Sequence, residues 1–252
     1  MAVSEKDYPV KVGTFLFTMV EPHEGSEVAY NRWYEHDHFY SGCLMGPNVF
    51  AGDRFVATRR LKKLRSKATN DMTPDPKKGS YLAVYWWQKG TTDECNRWNV
   101  DNVNMLHRQG RMFAERDHIH TLLYDMRWSE QRDPKGCTIE LGLDHGYPGI
   151  VVVTGDLNEG VTHDEWDAWF RKNWLQDAFT KKWGPDLVGS GTVIPLSDDA
   201  PADDARPRVS QGCCLGTDAG AGAPRGASSS SSLDSGAPLF PPLPQSDAGS
   251  GD

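Results

Sequence analysis

Hydrophobic and polar positions along the chain follow two periods. In "KVGTFLFTMVEP" (Lys11–Pro22), "DRFVATRRLKKL" (Asp53–Leu64), "SYLAVYWWQ" (Ser80–Gln88) and "DHIHTLLYDMRW" (Asp117–Trp128), bulky and β-branched residues run together or alternate over strand lengths. Between them lie two longer stretches with helical spacing. "SEVAYNRWYEHDHFYSGCLM" (Ser26–Met45) opens on Ser26 with Glu27 in its first turn, a helix N-terminus. "TTDECNRWNVDNVNMLHRQGRMFAER" begins at Thr91 or Thr92 and carries Trp98, Met105 and Met112 at a spacing of seven. The polar run Ser66–Gly79 reads as a loop. The order is βαββαβ, so the predicted fold class is α+β: a ferredoxin-like unit of one antiparallel sheet with two helices on one face.

Displaced by 136 residues, the chain meets itself again. "VGTFLFT" (Val12–Thr18) falls on "PGIVVVT" (Pro148–Thr154), and "AYNRWYEHDHFY" (Ala29–Tyr40) on "EWDAWFRKNWLQ" (Glu165–Gln176). Two residues later in the second copy, "GPNVFAG" (Gly46–Gly52) meets "GPDLVGS" (Gly184–Ser190). Strand, aromatic helix, Gly-Pro turn and strand recur in the same order, which reads as an internal repeat. The expected organisation is a first unit over residues 10–130, a linker at 131–147 and a partial second unit at 148–197. No counterpart of "SYLAVYWWQ" follows "GTVIPL" (Gly191–Leu196), so the second unit reads as truncated. Residues 198–252, rich in Gly, Ala, Ser and Pro, are expected to be disordered, because they cannot bury enough apolar surface to offset chain entropy.

"FLFTM" and "YLAVYWW" carry large apolar residues at both parities, so both sheet faces need cover. The second unit is the expected cover, the two sheets meeting as a barrel. A truncated second unit would leave part of the inner face open, which predicts either self-association, for instance as a homodimer, or poor solubility of the chain.

Charge changes this picture little. The tail holds eight Asp against three Arg, which leaves the body near balance at −3 of the overall −8. No basic face points to nucleic acid, and "RRLKKLR" (Arg59–Arg65) reads as a solvated strand edge. No apolar run approaches the roughly 20 residues of a membrane span. "MAVSEKDYPV" lacks the apolar core of a signal peptide, and five Cys without metal-type spacing suit a reducing compartment, so a cytoplasmic location is expected.

Candidate chemistry concentrates on the first aromatic helix. Tyr30, Tyr34 and His38 form one stripe at four-residue spacing, and the offset places them on Trp166, Phe170 and Trp174. A His in place of a packed Trp leaves room and a polar group that needs a partner. His36, Asp37 and Tyr40 lie beside it. A carboxylate next to an imidazole fixes its tautomer and raises its basicity, which suits a general base. Tyr30, Trp33, Tyr34, Tyr81, Tyr85 and Trp87 are the expected wall for a small hydrophobic or aromatic substrate. The other reading of His38 is a core-edge residue satisfied by backbone or water.

"RWYEHDHFYSGCLMGPNVFAGDRF" resembles the W-Y-x-x-x-H segment and later R-F strand of EthD-like members of the dimeric α+β barrel superfamily. Trp33, Tyr34, His38, Arg54 and Phe55 match that pattern, while Tyr40 stands where the family usually has Pro. The resemblance covers Lys11 to Trp128 well and Gly149 to Leu196 as a degenerate copy. It implies a pocket between helices and sheet with a His in its wall, in enzymes that include cyclases, dehydratases and cofactor-free monooxygenases. The leading expectation is therefore a cofactor-independent cyclase, dehydratase or related lyase. In it His38 is the general base or acid, Asp37 or His36 tunes it, and Tyr40 donates to a developing oxyanion.

The rivals are a non-catalytic ligand-binding or assembly module, and a haem- or metal-dependent barrel enzyme. His118 and His120, two apart on a strand, are expected to face one side and could begin a Zn or Fe site. His38, His107 or His118 could serve a haem as axial ligand. No Gly-rich phosphate loop is present, so no nucleotide cofactor is expected.

Overall fold

Side chains too large to face water on either side force Val12–Pro22 into the middle of a sheet. In the computed structural model, which describes residues 9–65, 75–182 and 184–194 and the backbone of 213–218, this segment is β1. It pairs antiparallel with β3 (Tyr81–Gln88) on one side and β4 (Arg116–Gln131) on the other. Alternation sends Phe15, Phe17 and Met19 to one face with Leu82, Val84, Trp86, Leu122 and Tyr124. Leu16 and Val20 go to the other face with Ala83, Tyr85, Trp87 and Leu123.

That second face is covered by two helices. The first, α1 (Glu27–Trp33), runs on without a break as a π-helical segment, Tyr34–Leu44, closed by Met45 N–H donating to Tyr40 C=O (3.0 Å). The other is α3 (Thr92–Arg108). Outside β3 lies β2 (Val49–Val56). The strand expected to reach Leu64 stops at Val56. Thr58 caps one helical turn, α2 (Arg59–Lys62), by accepting the Leu61 N–H (3.4 Å). The basic run is not simply a solvated edge, because Lys62 binds Glu21 (3.3 Å) and Arg65 binds the Gly79 carbonyl (2.7 Å).

Strand β4 continues past β1. Its last part, Tyr124–Gln131, pairs with β6 (Pro185–Val193). Beyond β6 come β7 (Cys213–Asp218) and then β5 (Ile150–Thr154), so the seven-stranded antiparallel sheet runs β2-β3-β1-β4-β6-β7-β5. The order β6-β7-β5 repeats β2-β3-β1. β7 occupies the position of β3, for which the sequence offered no counterpart. The rest of the tail expected to be disordered lies outside the described residues.

Helix α4 (His163–Phe170) opens with a capping box: the Thr162 hydroxyl accepts Glu165 N–H (3.3 Å) and Glu165 accepts Thr162 N–H (2.8 Å). It too passes into a π segment, Arg171–Leu175, and ends as α5 (Gln176–Thr180). The ring contacts of the two aromatic helices match. Tyr30–Trp33, Tyr30–Tyr34 and Tyr34–His38 centroids lie 5.8, 5.6 and 5.3 Å apart. Trp166–Trp169, Trp166–Phe170 and Phe170–Trp174 lie 5.4, 5.7 and 4.8 Å apart.

The inner sheet face is not open. The stretch read as a plain linker carries a 3-10 turn, Ile139–Leu141, and lays Ile139, Leu143 and Tyr147 against Phe15, Trp86 and Tyr124. Trp86 Nε1 donates to the Ile139 carbonyl (2.9 Å), and Phe15 and Trp86 are 0 and 2 % exposed. The physical ground for self-association through this face is therefore missing, since the chain supplies its own cover. Among the described residues no helix is long and apolar enough to cross a membrane.

Candidate functional site

The face of α1 that turns toward the sheet is aromatic, and the π segment carries that stripe on to His38. Tyr30 and Tyr34 are buried, and both rings touch neighbours of the same kind, Tyr81 and Phe113 for Tyr30 and Phe39 for Tyr34. Beneath them the Tyr34 and Tyr85 hydroxyls meet at 2.8 Å. Burial raises both phenols well above their ordinary range, and pushes the neighbouring Cys43 thiol up to about 12. Trp87 belongs to the same cluster. The predicted wall residues are thus brought together, but Tyr30, Tyr34, Tyr85 and Trp87 pack on one another as core. Trp33 and Tyr81 are half-buried at its edge.

Arg54 reaches across from β2. Its guanidinium lies 4.1 Å from the Tyr34 ring centroid, donates to Asn31 (2.9 Å) and pairs with Glu35 (3.3 Å). Asn31 in turn donates to the Tyr81 hydroxyl (2.8 Å).

His38 stacks on Trp33 (4.4 Å between centroids, 18° between planes) and presents its ring edge-on to Tyr34. Its Nδ1 is fully enclosed and has no hydrogen-bond partner. That nitrogen faces Gly42, where a Cβ would lie 2.3 Å away, so only glycine leaves room for the ring. Burial first, then the charges of Arg116 and His118, push the imidazole down to about 3, against a smaller opposing effect of Asp37. The ring is therefore neutral at neutral pH, and Nε2, the nitrogen that is not enclosed, is the one able to exchange a proton.

Asp37 is tied away from His38. It accepts from Ser41 Oγ (2.6 Å) and from Arg111 Nε (3.1 Å) and Nη2, and the Arg111 guanidinium holds its carboxyl below the usual carboxylate range. His36 is exposed, and Tyr40 is 52 % exposed with its ring against Phe39, so neither joins the His38 ring contacts.

The expected pairing of His118 and His120 on one face fails. A β-bulge sets Met19 opposite His120 and Val20 opposite His118, so one residue between them goes unpaired and the side chains part. His118 joins the helix face: Arg116 Nε donates to its Nε2 (3.2 Å), leaving Nδ1–H to donate to Thr121 Oγ1 (2.8 Å). His120, 1 % exposed, goes to the inner face, with Nε2 on the Tyr124 hydroxyl (2.7 Å), Nδ1 unpartnered, and burial lowering it to about 4. Among the described residues no three His, Cys, Asp or Glu side chains gather as metal ligands.

Sequence reasoning missed Arg111, Arg116 and Gly42. Arg116 stands two residues before His118 and lies 4.9 Å from the Trp33 centroid, so the strand period could have found it. Arg111 gave no local signal.

No protein-family model matches the chain, and no curated protein matches it. Among solved structures it is similar to a candidate monooxygenase from Fusobacterium nucleatum subsp. nucleatum, at 12 % identity and a TM-score of 0.43 over 82 % of this chain and 76 % of that one. It is also similar to a glycopeptide hexose oxidase solved with teicoplanin, at 13 % identity and a TM-score of 0.26 over 84 % of this chain and 38 % of that one.

Proposed function

We propose that the protein is a small-molecule enzyme built from two tandem ferredoxin-like units of the EthD-like, dimeric α+β barrel kind. In this reading His38 moves a proton on an aromatic or polyketide-like substrate, as a cyclase, dehydratase or related lyase does. One observation carries the reading: a neutral imidazole whose enclosed Nδ1 has no hydrogen-bond partner, held among aromatic rings, where the matched position of the other half is a packed Trp. His120, the other histidine with an unpartnered Nδ1, is held through Nε2 by the Tyr124 hydroxyl in the inner core.

An imidazole pushed this low is a weak base, so the proton it takes must come from an acidic group, such as a carbon between two carbonyls. The cations that depress His38 act on the substrate as well. Arg116 and Arg54 favour the enolate or phenolate that forms when the proton leaves. Trp33 and Tyr81 form the half-buried aromatic rim, and Tyr40 lies farther out.

A second reading, a binding or assembly module without chemistry, draws on the packing of Tyr30, Tyr34, Tyr85 and Trp87 against one another. Solvent exchange separates the two. In D2O the protein should speed deuterium uptake into members of a panel of aromatic 1,3-diketones and polyhydroxylated phenols, read by mass, and His38→Gln should remove the effect. Uptake no faster than buffer across the panel, or unchanged in His38→Gln, rejects the enzyme reading.

A further inference from the structure

We infer that Arg111 is the positioning residue of the His38 site, acting through Trp33 and Asp37. The inference rests on the proton-transfer reading only where catalysis is measured. Arg111 follows Gly110, whose left-handed backbone (φ 67°) turns the chain back at the end of α3, and its own N–H stays bonded to the Leu106 carbonyl (3.0 Å). From that fixed backbone it makes two contacts on the aromatic helix, one turn apart. Its carbonyl accepts Trp33 Nε1–H (2.7 Å), and its guanidinium grips both oxygens of Asp37, Nε at 3.1 Å and Nη2 on the other oxygen.

Both residues bear on His38 from the preceding turn of the helix. The Trp33 indole is the surface on which the imidazole stacks, and Phe113, two residues after Arg111, stacks on Trp33 in turn (5.7 Å). Asp37 directly precedes His38 and is held from within the helix by Ser41. A two-pronged guanidinium–carboxylate contact fixes direction as well as distance. The pair is partly exposed, with the Arg111 side chain at 41 % and Asp37 at 28 %, so it contributes little to folding stability. What it supplies is placement: the indole and the carboxylate are set before a substrate arrives.

The pair also isolates His38 from its nearest acid. Freed of Arg111, Asp37 would act on the imidazole with its full charge, alongside the opposing Arg116 and His118 on β4 and Arg54 on β2.

The test uses the full chain and four variants: Arg111→Ala, Arg111→Lys, Asp37→Asn and, as a control that breaks an exposed ion pair in the other half, Lys181→Ala. The first readout is the proton NMR signal of the His38 ring, assigned by its loss in His38→Gln and shifted upfield by the stacked indole. Arg111→Ala and Asp37→Asn should return it toward the other histidines, Arg111→Lys should do so in part, and Lys181→Ala should leave it in place. The titration of that signal should move up in Arg111→Ala and down in Asp37→Asn, opposite signs that a general loosening would not give. The second readout is deuterium uptake, where Arg111→Ala should lower kcat about tenfold with KM little changed. An unshifted ring signal in Arg111→Ala, or a lowered melting temperature as its only effect, overturns the inference. If the wild-type protein exchanges no substrate, the proton-transfer reading falls, and the ring signal still decides the placement of His38.

Discussion

The Tyr34 and Tyr85 hydroxyls meet at 2.8 Å, with Tyr34 at 3 % exposure and Tyr85 at none. Each group satisfies the other. Removing one hydroxyl therefore orphans a buried partner, at about 1–3 kcal/mol. Tyr85→Phe and Tyr34→Phe should each carry that cost, because each leaves the same buried hydroxyl pair broken. The double variant should cost less than the sum, read by chemical denaturation in a double-mutant cycle.

His38→Ala should abolish proton exchange, a loss on the order of 10²–10⁴ in rate, and leave the melting curve close to wild type. The enclosed Nδ1 makes no hydrogen bond, so its removal strands no partner there. Gly42→Ala tests the same site from the helix side. A methyl 2.3 Å from Nδ1 must displace the imidazole, so activity should fall although His38 is still present.

Stability should fall in mild acid. His38 and His120 titrate at about 3 and about 4 in the folded chain, below the roughly 6.5 of an unfolded histidine. Between those limits the unfolded chain binds the extra protons. The stabilisation is complete above pH ~6.5 and is lost as pH drops, by at most about 1.4 kcal/mol per pH unit for each ring. Asp37 and Asp117, whose carboxyls are held low, add their losses only below about pH 4. Denaturation at pH 7, 5.5 and 4.5 should show the slope, and His38→Gln should reduce it by about half.

The two strand histidines should behave differently. His120→Ala leaves the Tyr124 hydroxyl unpaired in the inner core and should cost about 2–4 kcal/mol. His118→Ala should cost less, because its ring lies at the helix-face edge. Zinc should raise the melting temperature of neither the wild type nor these variants, since the bulge sends the rings to opposite faces.

Trp86→Phe removes the bond to the Ile139 carbonyl and should cost about 1 kcal/mol. Hydrogen exchange should then speed up first at residues 138–143, as the cover over the inner face lifts.

The first half was legible because its signals are local. Both helices and the strands β1 and β3 follow from period and bulk, and the stripe from Tyr30 to His38 from spacing alone. What escaped depends on partners distant in sequence. The bulge that separates His118 from His120 arises where β4 adjusts to β1, and no feature of "DHIHT" announces it. Arg111 earns its place from contacts made 74 and 78 residues away. The six-residue strand Cys213–Asp218 is short and glycine-containing, so composition masked it. The cover over Trp86 came from a stretch whose polar turns read as a linker. At the offset of 136 the two aromatic helices share their ring contacts.

The strand order has a bearing on synthesis. β7 lies between β5 and β6 yet follows both in the chain. As the nascent polypeptide leaves the ribosome, β6 can lock onto β4, while β5 has no bonded neighbour until residue 218 has emerged. Two bare edges, a gap of roughly 10 Å from strand to strand, then wait for a latecomer of six residues. Chains released before that point would keep both edges available to any passing strand, so quality control on this protein should hinge on the strand that arrives last.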